Sequence, residues 1–265
     1  MLRIGALISG GGTNLVAICD ACRNRTIDAE VVLVGSDNPK AAGLGKARAR
    51  GIDTFAVDYG AIIEAFRSDT HRPAPPADFR IDEAMARQKL LPAGTDPART
   101  ERFLLSRAAA EAQLLAHLQR SRLDLLVLAG FMRTLSPYFI DRFSPDPQRP
   151  RIMNIHPALL PAFPGTDGYG DTWRYGCKVA GCTVHFIDYG EDTGPIVGQR
   201  AFSIDEDDTL ASVREKGLRL EWSLYPACIQ LFAEGRLSVE EVVHRLPSGK
   251  TCRRNRVRIL KKSDR

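Results

Sequence analysis

Apolar runs of strand length alternate with segments of helical spacing along the first sixty residues. The run Leu2–Ile8 has the length and apolar content of a buried strand, and apolar residues recur at helical spacing from Leu15 to Cys22. The pattern then predicts a helix at 41–49 between strands at 31–34 and 54–57. Strands and helices in this order are typical of a parallel, doubly wound sheet.

The second half of the chain continues the alternation after a predicted helix at 104–118. Leu123–Ala129 is an almost unbroken apolar run, which is typical of a central parallel strand buried on both faces. The remaining pattern predicts strands at 152–156, 182–187 and 196–202, and a last helix at 210–232 that is interrupted near Tyr225 and Pro226. We therefore predict an α/β protein with a Rossmann-like, doubly wound, mostly parallel sheet.

Two segments do not follow this pattern. Residues 59–103 contain five prolines and many charges but few apolar residues, so we predict an inserted, partly irregular segment and no second core. Residues 250–265 hold eight Lys or Arg residues and one acidic residue, while the whole chain carries a formal charge of only +5. We predict one domain at 1–247, with its insertion at about 59–103, and a basic tail at 248–265.

The basic tail has two interpretations. Terminal runs of charge are more often solvated and poorly ordered, which is the interpretation we favour. A cluster of cations can instead bind nucleic acid or an anionic surface. We expect no nucleic-acid partner despite the tail.

The distribution of the cysteines indicates the redox compartment of the protein. The six cysteines are scattered and form no disulfide framework, so a reducing, cytoplasmic location is expected. Cys19 and Cys22 lie three residues apart in a predicted helix without a second pair at zinc-like spacing, and we interpret them as structural. The run that ends at Ile8 is too short for a signal peptide, and no stretch is long enough to span a bilayer.

A glycine-rich loop follows the first predicted strand. Ser9–Asn14 reads Ser-Gly-Gly-Gly-Thr-Asn and leads directly into a helix, a geometry that presents backbone N–H groups to an anion. The loop lacks the third glycine of a dinucleotide fingerprint and the Lys-Ser/Thr pair of a P-loop. It therefore predicts a phosphate site without selecting NAD or ATP, and a tight turn between strand and helix is the alternative.

Three polar residues carry the candidate chemistry. Asn154 and His156 occupy alternate positions of one predicted strand, so both side chains lie on the same face, and Asp192 lies in an acidic turn at 188–195. A nearby carboxylate raises the pKa of an imidazole, and an amide can donate to the oxyanion of a tetrahedral intermediate. With the phosphate loop, these residues predict acyl transfer to a small phosphorylated amine, without a metal. His185 is expected only to face a neighbouring strand.

Four motifs in this order resemble the folate-dependent phosphoribosylglycinamide formyltransferases. They are Ile8–Leu15, Leu128–Arg133 with Leu135-Ser136-Pro137, Asn154-Ile155-His156-Pro157, and Asp192-x-Gly194-Pro195. The resemblance covers residues 1–60 and 104–237 and implies the formyltransferase fold. It also implies formyl transfer from 10-formyltetrahydrofolate to the amine of glycinamide ribonucleotide, in de novo purine biosynthesis. The segment at 166–173, the insertion and the basic tail depart from the family.

The resemblance also implies roles for individual residues. It assigns Asn154 as the oxyanion donor, which also contacts the folate, His156 as the general acid, and Asp192 as the carboxylate that raises the pKa of His156. The folate site would comprise Arg107, Met132, Arg133, Thr134, Leu135, Asp188 and Asp192. The ribonucleotide would be bound by Gly12, Thr13, Asn14 and, through its ribose hydroxyls, Glu221.

Three alternatives remain open from the sequence. A methionyl-tRNA formyltransferase shares the Asn-His-Asp core but normally carries a second domain, for which about thirty residues are too few. A 10-formyltetrahydrofolate deformylase uses water as the acceptor and usually has a preceding regulatory domain. A non-enzymatic nucleotide-binding module would use Asp37 as the ribose ligand. We expect small-molecule substrates and no membrane partner, and the sequence is compatible with a homodimer.

Overall fold

The computed structural model describes residues 1–262, and the last three residues of the predicted basic tail lie outside that range. Within it the chain forms eight helices and nine strands. In chain order these are β1 Leu2–Ile8, α1 Thr13–Arg23, β2 Ala29–Ser36, α2 Ala42–Arg48, β3 Asp53–Ala56, α3 Tyr59–Ser68, α4 Ile81–Arg87, α5 Pro97–Leu118, β4 Leu125–Leu128, α6 Pro137–Phe143, β5 Ile152–His156, α7 Gly168–Arg174, β6 Val179–Phe186, β7 Ile196–Ser203, α8 Leu210–Ala233, β8 Leu237–Arg245 and β9 Thr251–Ile259.

Seven of these strands form the central sheet, in the order β3-β2-β1-β4-β5-β6-β7. The pairs from β3 to β5 are parallel, and β6 and β7 add two antiparallel strands at one edge. The strand order reverses between β1 and β4, so the chain winds in both directions from the centre. The prediction of a doubly wound, mostly parallel sheet is confirmed.

Alternate side chains of each central strand enter two separate cores. In β1, Ile4 and Ala6 pack toward α1, α2 and α8, whereas Leu7 packs toward α3, α5 and α6. In β4, Leu125 points to the first core and Leu126 to the second. Helices on both faces bury strands that are apolar at nearly every position, which explains the continuous apolar runs in the sequence.

The insertion is more helical than the sequence predicted. Asp58 caps α3 by accepting from the Ala61 N–H (2.9 Å), and Ile62 and Phe66 of α3 are buried in the second core. Helix α5 begins at Pro97, seven residues before the predicted start, because Asp96 accepts from the Arg99 N–H (2.9 Å). Residues 69–80 and 88–96 lie outside these helices, so the segment is partly irregular, as predicted, but it also contains α3 and α4, which the sequence analysis did not place.

Helix α8 runs through Pro226 without the predicted interruption. A proline inside a helix removes one backbone hydrogen bond, a cost that packing can offset. Tyr225 is fully buried, and its hydroxyl donates to the backbone carbonyls of Met153 (2.7 Å) and Leu128 (3.2 Å). These contacts fasten the helix to the central strands at the position of the proline. Across residues 1–262, no helix combines the length and apolar character needed to cross a membrane.

Residues 251–259 of the basic tail form β9, one strand of a β-hairpin, so the prediction of a poorly ordered terminus was wrong for these residues. Strand β9 pairs with β8 in antiparallel register, and Val239 and Val257 pack against the first core. Arg253 pairs with Glu241 (2.9 Å) across the two strands. The sequence analysis missed β9 because few apolar residues alternate with its cations, so the alternating pattern of a strand is weak there. The boundary predicted at residues 247 and 248 falls in the hairpin turn, and the division into domain and tail stays a prediction.

Candidate active site

The candidate active site is a cleft at the carboxyl ends of β4 and β5, where open α/β sheets bind their ligands. One wall is the loop at 130–135, which follows β4, and the opposite wall is the loop at 188–192 between β6 and β7. The floor includes Asn154 and His156 at the end of β5. The structure thus brings the three predicted catalytic residues and most of the predicted folate residues to one cleft.

His156 lies between two oxygen acceptors. Its Nδ1 is 3.2 Å from Oδ2 of Asp192, and its Nε2 is 2.8 Å from the carbonyl oxygen of Phe163. Oδ2 of Asp192 also accepts from the Gly165 N–H (2.9 Å). When the imidazole is protonated, both ring N–H groups have an acceptor, so this surrounding suits a group that holds and then releases a proton.

The pKa values of this pair differ from the sequence expectation in one respect. Burial lowers the pKa of His156 below its usual value, although the Asp192 carboxylate and the Phe163 carbonyl oppose that shift. Burial works to raise the pKa of Asp192, but the neighbouring His185, the His156 charge and the Gly165 N–H outweigh it and lower that pKa. Asp192 is therefore ionised at neutral pH, and the expected rise in the pKa of His156 does not occur because desolvation is larger.

Asn154 is oriented by His185, a residue that the sequence analysis treated as a strand residue facing a neighbour. The two residues are directly paired between β5 and β6. Nδ1 of His185 lies 3.0 Å from the Phe186 carbonyl oxygen and donates to it, so Nε2 is free to accept from Nδ2 of Asn154 (3.2 Å). Nε2 of His185 is also 3.6 Å from Oδ1 of Asp192. His185 therefore lies beside two of the predicted catalytic residues, Asn154 and Asp192.

The glycine loop is held open at the start of α1. Gly12 precedes the helix with φ of +68°, and an added Cβ would lie 3.1 Å from the Cα of Gly43. The helix begins with Thr13, which is exposed, and Asn14, which is buried. Nζ of Lys46 donates to the Gly11 carbonyl (2.9 Å), so a cation lies beside the loop. Exposed N–H groups at a helix start next to a lysine can bind an anion.

The predicted ribonucleotide acid lies beside this loop. Oε2 of Glu221 accepts from Nδ2 of Asn14 (2.7 Å), and Oε1 accepts from the hydroxyl of Tyr169 (2.8 Å). Burial raises the pKa of Glu221, against these two hydrogen bonds. Tyr169 lies in α7, within the atypical segment at 166–173, and sequence reasoning missed it. Its ring packs where Gly217 of α8 leaves room for it.

The loop at 130–135 is fixed from below by two acidic residues. Oδ2 of Asp37 accepts from Nε of Arg133 (2.6 Å). Oε1 of Glu111 accepts from the Ser136 N–H (2.7 Å), and Oε2 accepts from the Ser136 hydroxyl. Asp37 thus holds a side chain of the cleft wall, and this contact gives it a role other than that of a ribose ligand.

The glycine loop and this wall are also joined directly. Oγ of Ser9 accepts from the Met132 N–H (2.7 Å). Met132, Arg133, Thr134 and Leu135 all line the cleft, as predicted. In the opposite wall, Oδ1 of Asp188 accepts from the Gly190 N–H (3.0 Å) and from the Thr193 hydroxyl (2.6 Å), which shapes that loop.

Among the predicted folate residues, Arg107 alone does not line the cleft. It is buried on α5, and its guanidinium carbon lies 5.5 Å from the Tyr59 ring centroid and 5.1 Å from that of Phe103. Its Nε and Nη1 have no hydrogen-bond partner within residues 1–262, and burial lowers its pKa. Its predicted contact with folate stays a prediction. In the same described range, no three His, Cys, Asp or Glu side chains are grouped so that they could hold a metal ion.

The comparisons with known proteins agree with this geometry. The family model described as formyl transferase matches residues 2–229. The chain therefore belongs to the formyl transferase family.

Its relatives narrow the class further. The phosphoribosylglycinamide formyltransferase of Bacillus subtilis is 31% identical over 230 residues, covering 87% of this chain and 94% of that protein. The enzyme of the same name from Escherichia coli is 32% identical over 244 residues, which cover 91% of this chain and 91% of that protein. The crystal structure of glycinamide ribonucleotide transformylase 1 from Symbiobacterium toebii superposes with a TM-score of 0.72 at 37% identity, covering 98% of this chain and 95% of that one.

Proposed function

We propose that this protein transfers the formyl group of 10-formyltetrahydrofolate to the amine of glycinamide ribonucleotide, a step of de novo purine biosynthesis. The observation that carries the proposal is the contact of His156 with Asp192 at 3.2 Å beside Asn154, in a cleft next to the glycine loop. Acyl transfer between two amines needs a proton carrier and an oxyanion donor within reach of the same carbon atom.

The folate occupies the cleft between its two walls. The pteridine ring lies against Met132, Arg133, Thr134 and Leu135, and the loop Asp188–Asp192 closes over it. Ser9 and Glu111 hold one wall of this cleft in place by accepting from the backbone N–H groups of Met132 and Ser136. Arg107 becomes a ligand of the folate if its free guanidinium nitrogens turn toward the cleft.

The ribonucleotide binds on the glycine-loop side. Its phosphate accepts from the N–H groups at Gly12 and Thr13, with the positive end of α1 directed at it. Asn14 and Glu221 take the ribose hydroxyls. The glycinamide nitrogen then reaches the formyl carbon from this side, so that the two substrates meet above Asn154 and His156.

The residues then act in one addition and one elimination step. The amine of the ribonucleotide forms a C–N bond to the formyl carbon and gives a tetrahedral intermediate, whose oxyanion accepts from Nδ2 of Asn154. His156 accepts the proton that the attacking nitrogen releases and delivers it to N10 of the folate as the C–N10 bond breaks. Asp192 stabilises the protonated imidazole, and His185 holds the Asn154 amide in position. The products are the formylated ribonucleotide and tetrahydrofolate.

An acceptor assay tests this function directly. The purified protein is given 10-formyltetrahydrofolate with glycinamide ribonucleotide, with charged initiator tRNA, or with water alone, and the release of tetrahydrofolate is followed. We expect turnover with the ribonucleotide. Turnover only with tRNA, or equal turnover with water alone, would instead identify a tRNA formyltransferase or a deformylase.

A further inference from the structure

The insertion reaches the active-site loop at two adjacent positions. Its helix α4 ends at Arg87, and the side chain of Arg87 contacts Tyr189. Two residues later, the backbone of Lys89 forms a parallel bridge with Gly190. Tyr189 and Gly190 both belong to the loop Asp188–Asp192, which forms one wall of the cleft. We call residues 87–89 the strap.

Arg87 joins three elements through one guanidinium group. It binds the Asp141 carboxylate of α6 in a bidentate manner, with N–O distances of 2.7 and 3.0 Å. The hydroxyl of Tyr189 donates to the same carboxylate (2.6 Å), and the guanidinium carbon lies 4.7 Å from the centroid of the Tyr189 ring. A planar, bidentate pair that also stacks on an aromatic ring fixes orientation as well as distance.

The segment that precedes α4 is also fixed to α6. Asp78, which precedes α4, accepts from Nε and Nη2 of Arg142 at 2.9 and 2.6 Å. The next residue, Phe79, packs edge-on against the ring of Tyr138 with centroids 5.5 Å apart. The insertion therefore extends from α6 to a loop of the cleft.

Restraint at the strap passes to the catalytic end of the loop over a few residues. Asp188 accepts from the Gly190 N–H, so Gly190 is held both by the strap and by its own loop. Asp192, two residues after Gly190, adopts φ of +53° and contacts His156. A small displacement of the loop would lengthen the contact between Asp192 and His156.

We propose that the strap positions the loop Asp188–Asp192 over the formyl-folate cleft, with Arg87 as the positioning residue. This inference rests on the proposed function for its kinetic readout, but not for its structural readout. The insertion thereby has a role in binding the formyl donor, and none in binding the ribonucleotide, whose proposed site lies on the other side of the cleft.

The contacts of Arg87 should affect the mobility of the loop more than they affect the global stability of the protein. The Arg87 side chain is 42% exposed, and pairs that are this exposed contribute little to global stability. Loss of Arg87 should therefore leave the unfolding midpoint nearly unchanged. It should instead free the loop, because the lost contacts join the loop to the rest of the domain.

The test compares Arg87→Ala and Tyr189→Phe with the control Arg67→Ala. Arg67 lies on α3 of the same insertion and pairs with Glu64 (2.9 Å), away from the loop. Hydrogen exchange of the backbone is measured at 187–193, and KM is measured for each substrate. In Arg87→Ala we expect faster exchange in the loop and a KM for the formyl donor raised about three- to tenfold, with the KM for the ribonucleotide within about twofold.

The other two variants should change loop exchange and KM less than Arg87→Ala does. Tyr189→Phe keeps the ring beside Arg87 and should give a smaller increase in exchange and in KM. Arg67→Ala should behave as wild type in both measurements. Unchanged loop exchange in Arg87→Ala would overturn the strap, whatever the reaction proves to be. Absence of formyl transfer in the wild type would overturn the proposed function and leave the exchange result to decide on the strap.

Discussion

Glu111 should make the stability of this protein fall as pH rises through the neutral range. The residue is fully buried on α5, and burial raises the pKa of its carboxyl from 4.5 to about 7 against the two hydrogen bonds from Ser136. Between these two values the folded state binds more protons than the unfolded state, so unfolding releases a proton. The contribution of Glu111 to the free energy of unfolding is therefore largest below pH 4.5 and is lost progressively as pH rises to about 7.

The size of this effect follows from the shift itself. A difference of about 2.5 pKa units between the folded and unfolded states corresponds to about 3 kcal/mol over the whole window. Between pH 5 and pH 8, the part that can be measured amounts to roughly 2 to 3 kcal/mol. In the variant Glu111→Gln, residue 111 is neutral at every pH, so this pH-dependent contribution to the free energy of unfolding is missing.

The assay is urea unfolding of wild type and Glu111→Gln at pH 5, 6, 7 and 8. The difference in unfolding free energy, wild type minus variant, should shift by roughly 2 to 3 kcal/mol against the wild type across this range. Ser136→Ala removes one of the hydrogen bonds that favour the ionised carboxyl, so its inflection should lie at higher pH. A difference that does not change with pH would refute the reasoning, because a pKa of about 7 requires the slope.

The other predictions concern the catalytic pair, the ribonucleotide acid and the glycine loop. His156→Ala should lower kcat about 10²- to 10⁴-fold, and Asp192→Asn should also lower it, while circular dichroism shows an intact fold; wild-type turnover in His156→Ala would contradict the mechanism. His117→Ala, at a half-buried position of α5 that does not line the cleft, serves as the control. Tyr169→Phe leaves one oxygen of buried Glu221 unpaired and should cost about 1 to 3 kcal/mol of stability in urea unfolding and raise the KM for the ribonucleotide; an unchanged KM would separate Glu221 from substrate binding. Gly12→Ala should raise the same KM, because φ of +68° is unfavourable for alanine; a normal KM would place the phosphate elsewhere.

The main architecture was predictable because its signals are local. The apolar run of β4 and the strand–glycine–helix start of the chain depend on neighbouring residues alone, and both were found where the pattern placed them. The Asn154, His156 and Asp192 set was also predicted, and the structure brings these three residues together. Their meeting rests on the register of β5 with β6 and on the turn after β6.

Contacts between distant segments could not be predicted in this way. Glu111 and Ser136 are 25 residues apart, and the pattern on α5 gives no sign that this carboxylate points into the core. His185 reaches Asn154 only because β6 runs antiparallel to β5, a direction that a single sequence does not reveal. The expected rise in the pKa of His156 failed for the same reason, since burial depends on the whole fold. Dimerisation and cytoplasmic location stay predictions.

The two segments that the family resemblance left unexplained both approach the loop that carries Asp192. The insertion reaches it through Arg87 and Lys89, as described above. The hairpin approaches from the other side, where Val242 and Val257 line a groove whose opposite wall includes residues 191–196. Catalysis in the proposed mechanism requires the Asp192 carboxylate to stay near His156 although its backbone adopts a left-handed conformation. The insertion contacts the loop directly and limits its alternative conformations, whereas a groove lies between the loop and the hairpin, so the proposed restraint on this catalytic contact comes from the insertion.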